Sequence, residues 1–153
     1  LMTKVTQQFS ERADENKIRF RHIGRKDRLP KRLVDKLEEL ERKTKKYDSF
    51  SVLLCLDYGG RDEIVRAVNK ILQKKIREVD EKIFSQYLDS AGIPDPDLII
   101  RTSGEQRVSG FMPFQGVYSE FYFSSLHFPD FGTKELRDAI LRYSNRDRRF
   151  GSG

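Results

Sequence analysis

Two short segments of the sequence are apolar almost throughout and have the length of β-strands. Residues 50–56 read FSVLLCL and residues 98–100 read LII. Strands that are apolar on both faces are typical of parallel sheets covered by helices, whereas half-exposed strands alternate apolar and polar residues. Each segment ends in a polar turn that contains glycine, at residues 57–60 and 101–104. The two segments therefore predict buried strands of a parallel sheet.

Segments with helical periodicity lie around these strands. Apolar residues recur at helical spacing in residues 33–40, 64–72 and 83–88, and a last helix is predicted at about 133–143. Residues 18–22 alternate apolar and basic side chains, as a half-buried strand does. The sequence thus predicts a single α/β domain over residues 1–153, with a largely parallel central sheet flanked by helices.

The N-terminal side of this domain is expected to be incomplete. Leu1, Val5, Phe9 and Ala13 form a helical stripe, but no N-cap residue precedes Leu1. The chain also supplies only three or four strands, although strands that are apolar on both faces need neighbours and helices on both sides. We therefore expect part of the sheet to be absent.

The composition narrows the class of protein. A single cysteine, Cys55, excludes an internal disulfide framework and fits a reducing compartment. No apolar run reaches the roughly 20 residues of a membrane-spanning helix, and the first residues have no signal-peptide pattern. We expect a cytoplasmic protein with at most peripheral membrane association.

Basic residues are concentrated in residues 17–32, within a chain of net charge +6. Such a run attracts nucleic acid, a phosphorylated metabolite or acidic lipid, or it is simply a solvated surface. The segment has no recognised nucleic-acid motif. A basic nucleic-acid-binding domain remains an alternative, but we expect no nucleic-acid partner.

The strongest candidate site is the polar segment RTSGEQRVSG at residues 101–110, directly after the second buried strand. Open α/β sheets bind ligands at the carboxyl ends of their strands. Arg101 and Arg107 can each match two phosphate oxygens, and Glu105 can hold either arginine through an ion pair. Hydroxyl groups and the backbone N–H groups near two glycines can complete a diphosphate cradle; the hydroxyl groups belong to Thr102, Ser103 and Ser109. The alternative is a polar surface loop with structural ion pairs.

Glu120 interrupts the aromatic segment YSEFYF at residues 118–123. A carboxylate among aromatic residues should be paired, hydrogen-bonded or bound to a cation. Because Mg²⁺ takes one or two carboxylates together with substrate phosphates, Glu120 is a candidate Mg²⁺ ligand near the cradle. The alternative is a glutamate that faces solvent. The aromatic residues at 111–131 are interpreted as core and interface packing.

Other candidates are interpreted more conservatively. His22 and His127 lie outside any metal-ligand spacing and are predicted to be structural. Cys55 lies inside a strand without a basic neighbour, which argues against a catalytic thiolate. The arginines near the end of the chain can stabilise a helix terminus, pair with carboxylates or reach a phosphate; they are Arg146, Arg148 and Arg149.

These segments resemble the cis-prenyltransferases, the family that includes undecaprenyl diphosphate synthase. The resemblance rests on DPDLIIRTSGEQRVSGF at 95–111, VYSEFYFSSLHFPDF at 117–131 and NRDRRFG at 145–151. IRFRHIGRKDRLP at 18–30 and LDYGGRDEIVRAV at 56–68 resemble the middle portion of the family, in the same order. The resemblance covers nearly the whole chain.

The resemblance implies transfer of isopentenyl diphosphate onto an allylic polyprenyl diphosphate, with Mg²⁺ and formation of Z double bonds. It assigns Arg101, Arg107 and Ser109 to the diphosphate of isopentenyl diphosphate, and Glu120 to Mg²⁺. Arg149 and Gly151 match the terminal Arg-x-Gly that reaches across the family's dimer. The resemblance therefore implies a homodimer that forms through the aromatic region and the C-terminal Arg-x-Gly.

The chain also departs from the family pattern. The family usually has Asn at the positions of Gly110 and Asp57, and Trp at the position of Phe114. More seriously, residues 1–25 contain no match to the Met-Asp-Gly-Asn-x-Arg-Trp type motif, whose aspartate is essential for catalysis. We therefore expect this chain to carry the isopentenyl diphosphate half-site and no catalytic residue, and to be inactive without an N-terminal segment. An accessory subunit of a heteromeric prenyltransferase remains an alternative, although such subunits usually lack the RTSGE-type cradle.

Overall fold

A computed structural model describes residues 12–145. The chain divides into two compact units, Leu1–Gly92 and Ile93–Gly153, and each contains one pair of parallel strands. Parallel strand pairs together with helices in both units confirm the predicted α/β class.

Strands and helices alternate in the first unit. β1 and β2 pair in parallel, with Ile18 opposite Phe50 and Ile23 opposite Cys55. A helix connects them, as parallel strands require a long crossover. After a helical turn at residues 12–15, the elements are β1 (Ile18–Ile23), α1 (Lys31–Thr44), β2 (Phe50–Cys55), α2 (Gly60–Gln73) and α3 (Glu81–Ser85).

The core of this unit forms between β1 and α1. Phe20 of β1 and Leu37 and Leu40 of α1 are buried against one another. The apolar stripe predicted from the helical spacing is therefore the face that packs on the strand. Partly buried leucines extend this core: Leu29, Leu33, Leu54 and Leu56.

Side chains of α1 also bind the backbone of β1. The Phe20 N–H donates to Thr44 Oγ1 at 3.0 Å, and the His22 N–H donates to Glu41 Oε1 at 2.8 Å. An edge strand otherwise presents a row of unpaired N–H groups. The helix thus satisfies the edge of β1 that faces away from β2.

The strand β2 is less buried than its sequence predicts. Phe50 is 71% exposed and Val52 is 38% exposed. The prediction of burial on both faces is wrong for this half of the strand, because no element within residues 12–145 covers it.

A buried carboxylate joins two loops of the first unit. Glu63 on α2 is 1% exposed and accepts hydrogen bonds from the Tyr58 hydroxyl at 2.7 Å and the Asp89 N–H at 2.9 Å. One turn later, Arg66 forms a two-point ion pair with Asp89 at 2.6 and 2.8 Å. Desolvation alone would raise the pKa of Asp89, but the Arg66 guanidinium holds it below its usual value. This network fixes the loop after α3 against α2.

The second unit pairs two short strands in parallel. Leu98 lies opposite Glu120, and Arg101 lies opposite Phe123. A Cβ atom added at Gly116 would lie 3.0 Å from Ile99 Cδ1, so the segment before β4 packs closely on β3. The elements are β3 (Leu98–Arg101), β4 (Glu120–Phe123), a 3₁₀ turn (Phe128–Asp130) and α4 (Thr133–Ser144).

Candidate functional site

The polar segment 101–110 begins at the carboxyl end of β3, as predicted from the sequence. Arg101 is the last residue of the strand and is partly buried. Its carbonyl accepts a hydrogen bond from the Ser124 N–H at 2.8 Å, which continues the ladder past the end of β4. The start of the loop is therefore held by the paired strands.

Two Ser-Gly pairs turn this loop through left-handed backbone conformations. The φ angles are 70° and 71° at Ser103 and Gly104, and 48° and 74° at Ser109 and Gly110. Glycine adopts such angles freely, but a serine with positive φ is uncommon. Strained residues of this kind are found disproportionately at functional sites. The two serine hydroxyls predicted for the cradle thus sit on sharply defined turns.

Glu105 and Arg107 form an ion pair within the loop. The Arg107 side chain is 65% exposed and that of Glu105 is 36% exposed. Of the two arginines that the sequence offered to Glu105, the structure shows the contact with Arg107. Arg107 is therefore oriented yet open to solvent, as a residue that receives an anion must be.

The first backbone N–H groups of the loop are already used. The Ser103 N–H donates to the Leu126 carbonyl at 2.7 Å, and the Gly104 N–H donates to the Ser124 carbonyl at 2.9 Å. These two groups cannot also form the predicted backbone cradle. The backbone N–H groups of Ser103 and Gly104 hold the loop to the segment after β4. An anion at this end of the loop must therefore be bound by side chains.

His127 lies beside the loop, and sequence reasoning missed it. Its Nδ1 atom is 3.4 Å from Ser103 Oγ, and both residues are exposed. A sequence pattern does not indicate this contact, because the two residues are 24 positions apart. The only hint in the sequence is that His127 follows the aromatic segment at 118–123, which contains β4, by a few residues.

Glu120 lies at the other end of the paired strands. It is the first residue of β4 and pairs with Leu98, whereas Arg101 pairs with Phe123. Three residues of strand separate the two positions, about 10 Å along the strand. Side chains alternate between the faces of a strand, so Glu120 and Arg101 also project to opposite faces. Within one chain the structure does not bring them together.

This arrangement bears on the predicted Mg²⁺ site. Within residues 12–145, no group of three or more His, Cys, Asp or Glu side chains is placed to hold a metal ion. Glu105, the carboxylate inside the loop, is engaged with Arg107. A Mg²⁺ ion near Arg101 would therefore take most of its ligands from substrate phosphates and water rather than from this part of the chain.

A cavity of about 540 Å³ lies next to the start of the loop, in the second unit. Ile100 and Thr102 contribute to its wall, and by the alternation of the strand they project away from the face of Arg101. The other lining residues are Phe128, Phe131, Gly132, Thr133 and Leu136. The cavity is thus largely apolar and separate from the arginine side of the loop.

The basic run of the first unit is largely paired within the chain. Arg21 donates to the carbonyls of Asp89 and Ala91 at 2.8 and 2.9 Å. Arg28 contacts both carboxylate oxygens of Asp57 at 2.7 Å. These contacts leave less free charge for a polyanion than the sequence suggests.

Two more cations of this run are paired in the same way. Arg25 hydrogen-bonds to Asp27 and lowers the pKa of that carboxyl to about 2. Lys26 contacts Glu41 at 2.6 Å. The segment therefore acts mainly as a set of structural ion pairs.

The remaining sequence candidates have separate outcomes. His22 is buried, with Nε2 2.9 Å from the Leu56 carbonyl oxygen, in agreement with a structural role. Burial, and secondarily Glu63, raises the pKa of the Cys55 thiol, which disfavours a thiolate. Arg149 and Gly151 lie outside the described residues, as do the arginines before them.

These features define an α/β protein with a candidate anion-binding loop at the carboxyl end of a parallel strand. The family described as "Putative undecaprenyl diphosphate synthase" matches residues 1–151. The chain therefore belongs to the undecaprenyl diphosphate synthase family, the cis-prenyltransferases, and the resemblance noted in the sequence is confirmed.

Curated relatives and solved structures agree with this membership. An isoprenyl transferase of Aquifex aeolicus is 46% identical over 134 residues, which are 88% of this chain and 58% of that protein. A tritrans,polycis-undecaprenyl-diphosphate synthase (geranylgeranyl-diphosphate specific) of Pyrococcus horikoshii is 42% identical over 147 residues, 92% of this chain and 56% of that protein. The chain thus spans somewhat more than half the length of these relatives.

Two solved structures share the fold with a TM-score of 0.88 and 36% identity. One is a probable undecaprenyl diphosphate synthase from Campylobacter jejuni, with 97% of this chain and 70% of that chain covered. The other is lavandulyl diphosphate synthase from Lavandula x intermedia in complex with dimethylallyl diphosphate, and the match covers 97% of this chain and 69% of that chain.

The helices found among residues 12–145 include none with the length and apolar character of a membrane-spanning helix.

Proposed function

We propose that segment 101–110 binds the diphosphate of isopentenyl diphosphate, and that this chain supplies that half-site for a cis-prenyl transfer. The observation that carries the proposal is the position of Arg101 at the carboxyl end of a parallel strand, followed by the exposed Arg107 and the turn serine Ser109. Open α/β sheets bind ligands at this edge. Membership of the cis-prenyltransferase family supplies the class of substrate.

The proposed reaction joins two isoprenoid diphosphates. A new carbon–carbon bond forms between the isopentenyl and allylic substrates, the allylic carbon–oxygen bond breaks, and its electron pair leaves with the diphosphate. A proton then leaves the isopentenyl unit to form the new Z double bond. In this scheme Arg101 and Arg107 neutralise the isopentenyl diphosphate and hold it in place, and Ser109 donates a hydrogen bond to it.

Glu105 serves as a positioning residue in this proposal. Its ion pair with Arg107 limits the rotamers of the guanidinium before the substrate arrives. A preorganised arginine loses less conformational freedom on binding. Arg149 and Gly151 are proposed to contact the same substrate from a second copy of the chain.

Mg²⁺ is part of the proposal as a companion of the substrate. A magnesium ion neutralises phosphate charge and is commonly held by one or two carboxylates plus substrate oxygens. Residues 12–145 contain no group of three or more potential protein ligands for a metal, so most ligands would come from the substrate and water. The assignment of Glu120 to the metal stays a prediction. Because Glu120 and Arg101 lie at opposite ends of the strand pair, we propose that Glu120 reaches the metal from a second copy of the chain.

Exposed apolar side chains support a homodimer through the aromatic region. Tyr118 is 86% exposed, Phe128 is 77% exposed and Val117 is 65% exposed. Large exposed apolar patches mark sites of association. We therefore propose that residues 111–131 contribute the contact between two copies of the chain.

The motif with the essential aspartate has no counterpart in residues 1–25. We propose that the chain binds isopentenyl diphosphate but needs a segment carrying that motif for turnover. The test incubates the chain with labelled isopentenyl diphosphate, farnesyl diphosphate and Mg²⁺, with and without the N-terminal segment of a relative. Labelled prenyl product is expected only with the added segment. Product formation by the chain alone would refute this division of labour.

A further inference from the structure

The contact between His127 and Ser103 is not explained by the roles described so far. His127 Nδ1 lies 3.4 Å from Ser103 Oγ, and both side chains are open to solvent. Ser103 follows Arg101 by two residues and has a left-handed φ of 70°. The imidazole thus lies beside a hydroxyl of the loop to which we assign the diphosphate.

The backbone holds the two residues in this relationship. The N–H groups of Ser103 and Gly104 donate to the carbonyls of Leu126 and Ser124 at 2.7 and 2.9 Å. The Leu126 N–H in turn donates to Ser124 Oγ at 3.2 Å. The segment just before His127 is therefore fastened to the loop by two backbone hydrogen bonds.

The direction of the hydrogen bond decides what Ser103 can do for an anion. If the imidazole accepts the hydroxyl proton, the serine oxygen offers only lone pairs, which repel phosphate. If Nδ1 carries a hydrogen and donates to Ser103 Oγ, the hydroxyl hydrogen is free to point at a phosphate oxygen. Chained hydrogen bonds of this kind strengthen one another, and a bond to a charged acceptor is among the strong ones.

From this geometry we propose that His127 is a positioning residue for the diphosphate: its Nδ1–H donates to Ser103, and the Ser103 hydroxyl donates to a phosphate oxygen. The inference rests on the proposed function, because it adds two groups to the same loop. The backbone N–H groups of Ser103 and Gly104 donate to carbonyls of the segment after β4. The Ser103 hydroxyl would supply the phosphate with a donor in their place.

The test uses inorganic pyrophosphate as the probe and isothermal titration calorimetry on the whole chain. His127→Leu and Ser103→Ala should each weaken binding about five- to tenfold, the effect expected for the loss of one ordinary hydrogen bond. The double variant should lose little more than either single one, because the two residues act as one unit. Ser125→Ala, at an exposed neighbour, is the matched control and should bind as the unaltered chain does.

A rescue variant separates positioning from a structural role. The side-chain amide of Asn places a donor near the position of Nδ1, so His127→Asn should restore binding to within about twofold. The melting temperature of each variant shows whether the fold is intact. If His127→Leu binds pyrophosphate normally, or if Asn fails to rescue a loss in a folded protein, the proposal is refuted.

A further variant distinguishes this inference from the function on which it rests. If Arg101→Ala abolishes binding while the His127 and Ser103 variants bind normally, only the positioning role fails. If the unaltered chain does not bind pyrophosphate or isopentenyl diphosphate, both proposals fail together.

Discussion

Arg101 and Glu120 lie at opposite ends of one pair of parallel strands, since Arg101 pairs with Phe123 and Glu120 pairs with Leu98. The register separates the two positions by about 10 Å along the strand, and alternation turns their side chains to opposite faces. Within one chain, Glu120 therefore lies at the other end and on the other face of the strand pair from Arg101. This relationship distinguishes the anion-binding role of the loop from any metal-binding role of the carboxylate.

The first prediction follows from that separation. Glu120→Gln should leave the affinity of the chain for isopentenyl diphosphate unchanged within about twofold when Mg²⁺ is absent, because one carboxylate at such a distance contributes little through water. Titration calorimetry in the presence of a chelator measures this. A tenfold change without Mg²⁺ would place Glu120, from the same or a second copy of the chain, in direct contact with the substrate and contradict its assignment to the metal alone.

The second prediction concerns the ion pair of the loop. Glu105→Gln removes the charge that orients Arg107, so the affinity for isopentenyl diphosphate should change without any loss of fold. We expect binding about threefold weaker, the size of a solvent-exposed ion pair. The melting temperature should stay the same. Tighter binding would show that Glu105 competes with the substrate for Arg107 rather than positioning it.

The third prediction is a pH dependence of stability in the first unit. The pKa of Asp89 is below its usual value in the folded protein. The contribution of the Asp89 carboxylate to the free energy of unfolding is therefore fully present above the unfolded pKa of about 3.9. It is lost as the pH falls through the lower folded pKa. Asp89→Asn should therefore lower the free energy of unfolding by about 2 kcal/mol near pH 7, and the difference from the unaltered chain should shrink below about pH 4.

Urea unfolding at several pH values measures this difference. Asp95→Asn is the matched control, because Asp95 is exposed. If the effect of Asp89→Asn stays constant down to about pH 2, the carboxylate does not stabilise the fold through its charge.

The fourth prediction tests the proposed dimer. Tyr118→Asp places a charge in the exposed apolar surface, where Tyr118 is 86% exposed. A buried charge without a partner strongly opposes association. Light scattering should therefore show a dimer for the unaltered chain and a monomer for the variant. Lys134→Asp, at an exposed position on α4, should remain dimeric. Monomeric unaltered protein would refute the proposed contact.

The local features of this protein were predictable from its sequence. The two apolar runs predicted β2 and β3, the alternation at 18–22 predicted β1, and the helical spacing predicted α1, α2 and α4. These features depend on residues within a few positions of one another. The ion pair of Glu105 with Arg107 belongs to the same class, because only two residues separate the partners.

Features that depend on register were not predictable in this way. The sequence marks residues 118–123 as an aromatic segment, but it does not show that residues 120–123 form a strand or which end of that strand meets the polar loop. That is why Glu120 was expected beside the cradle and why His127 was overlooked. The exposure of Phe50 has a similar origin, because an apolar run predicts burial without showing which element covers it.

The central claim is that Arg101 binds the diphosphate of isopentenyl diphosphate at the carboxyl end of β3. Titration calorimetry with this substrate should show Arg101→Ala binding weaker by about 2 kcal/mol, roughly thirtyfold. Arg137→Ala, at an exposed arginine on α4, should bind normally. Equal affinities for the two variants, in proteins with unchanged melting temperatures, would contradict the claim.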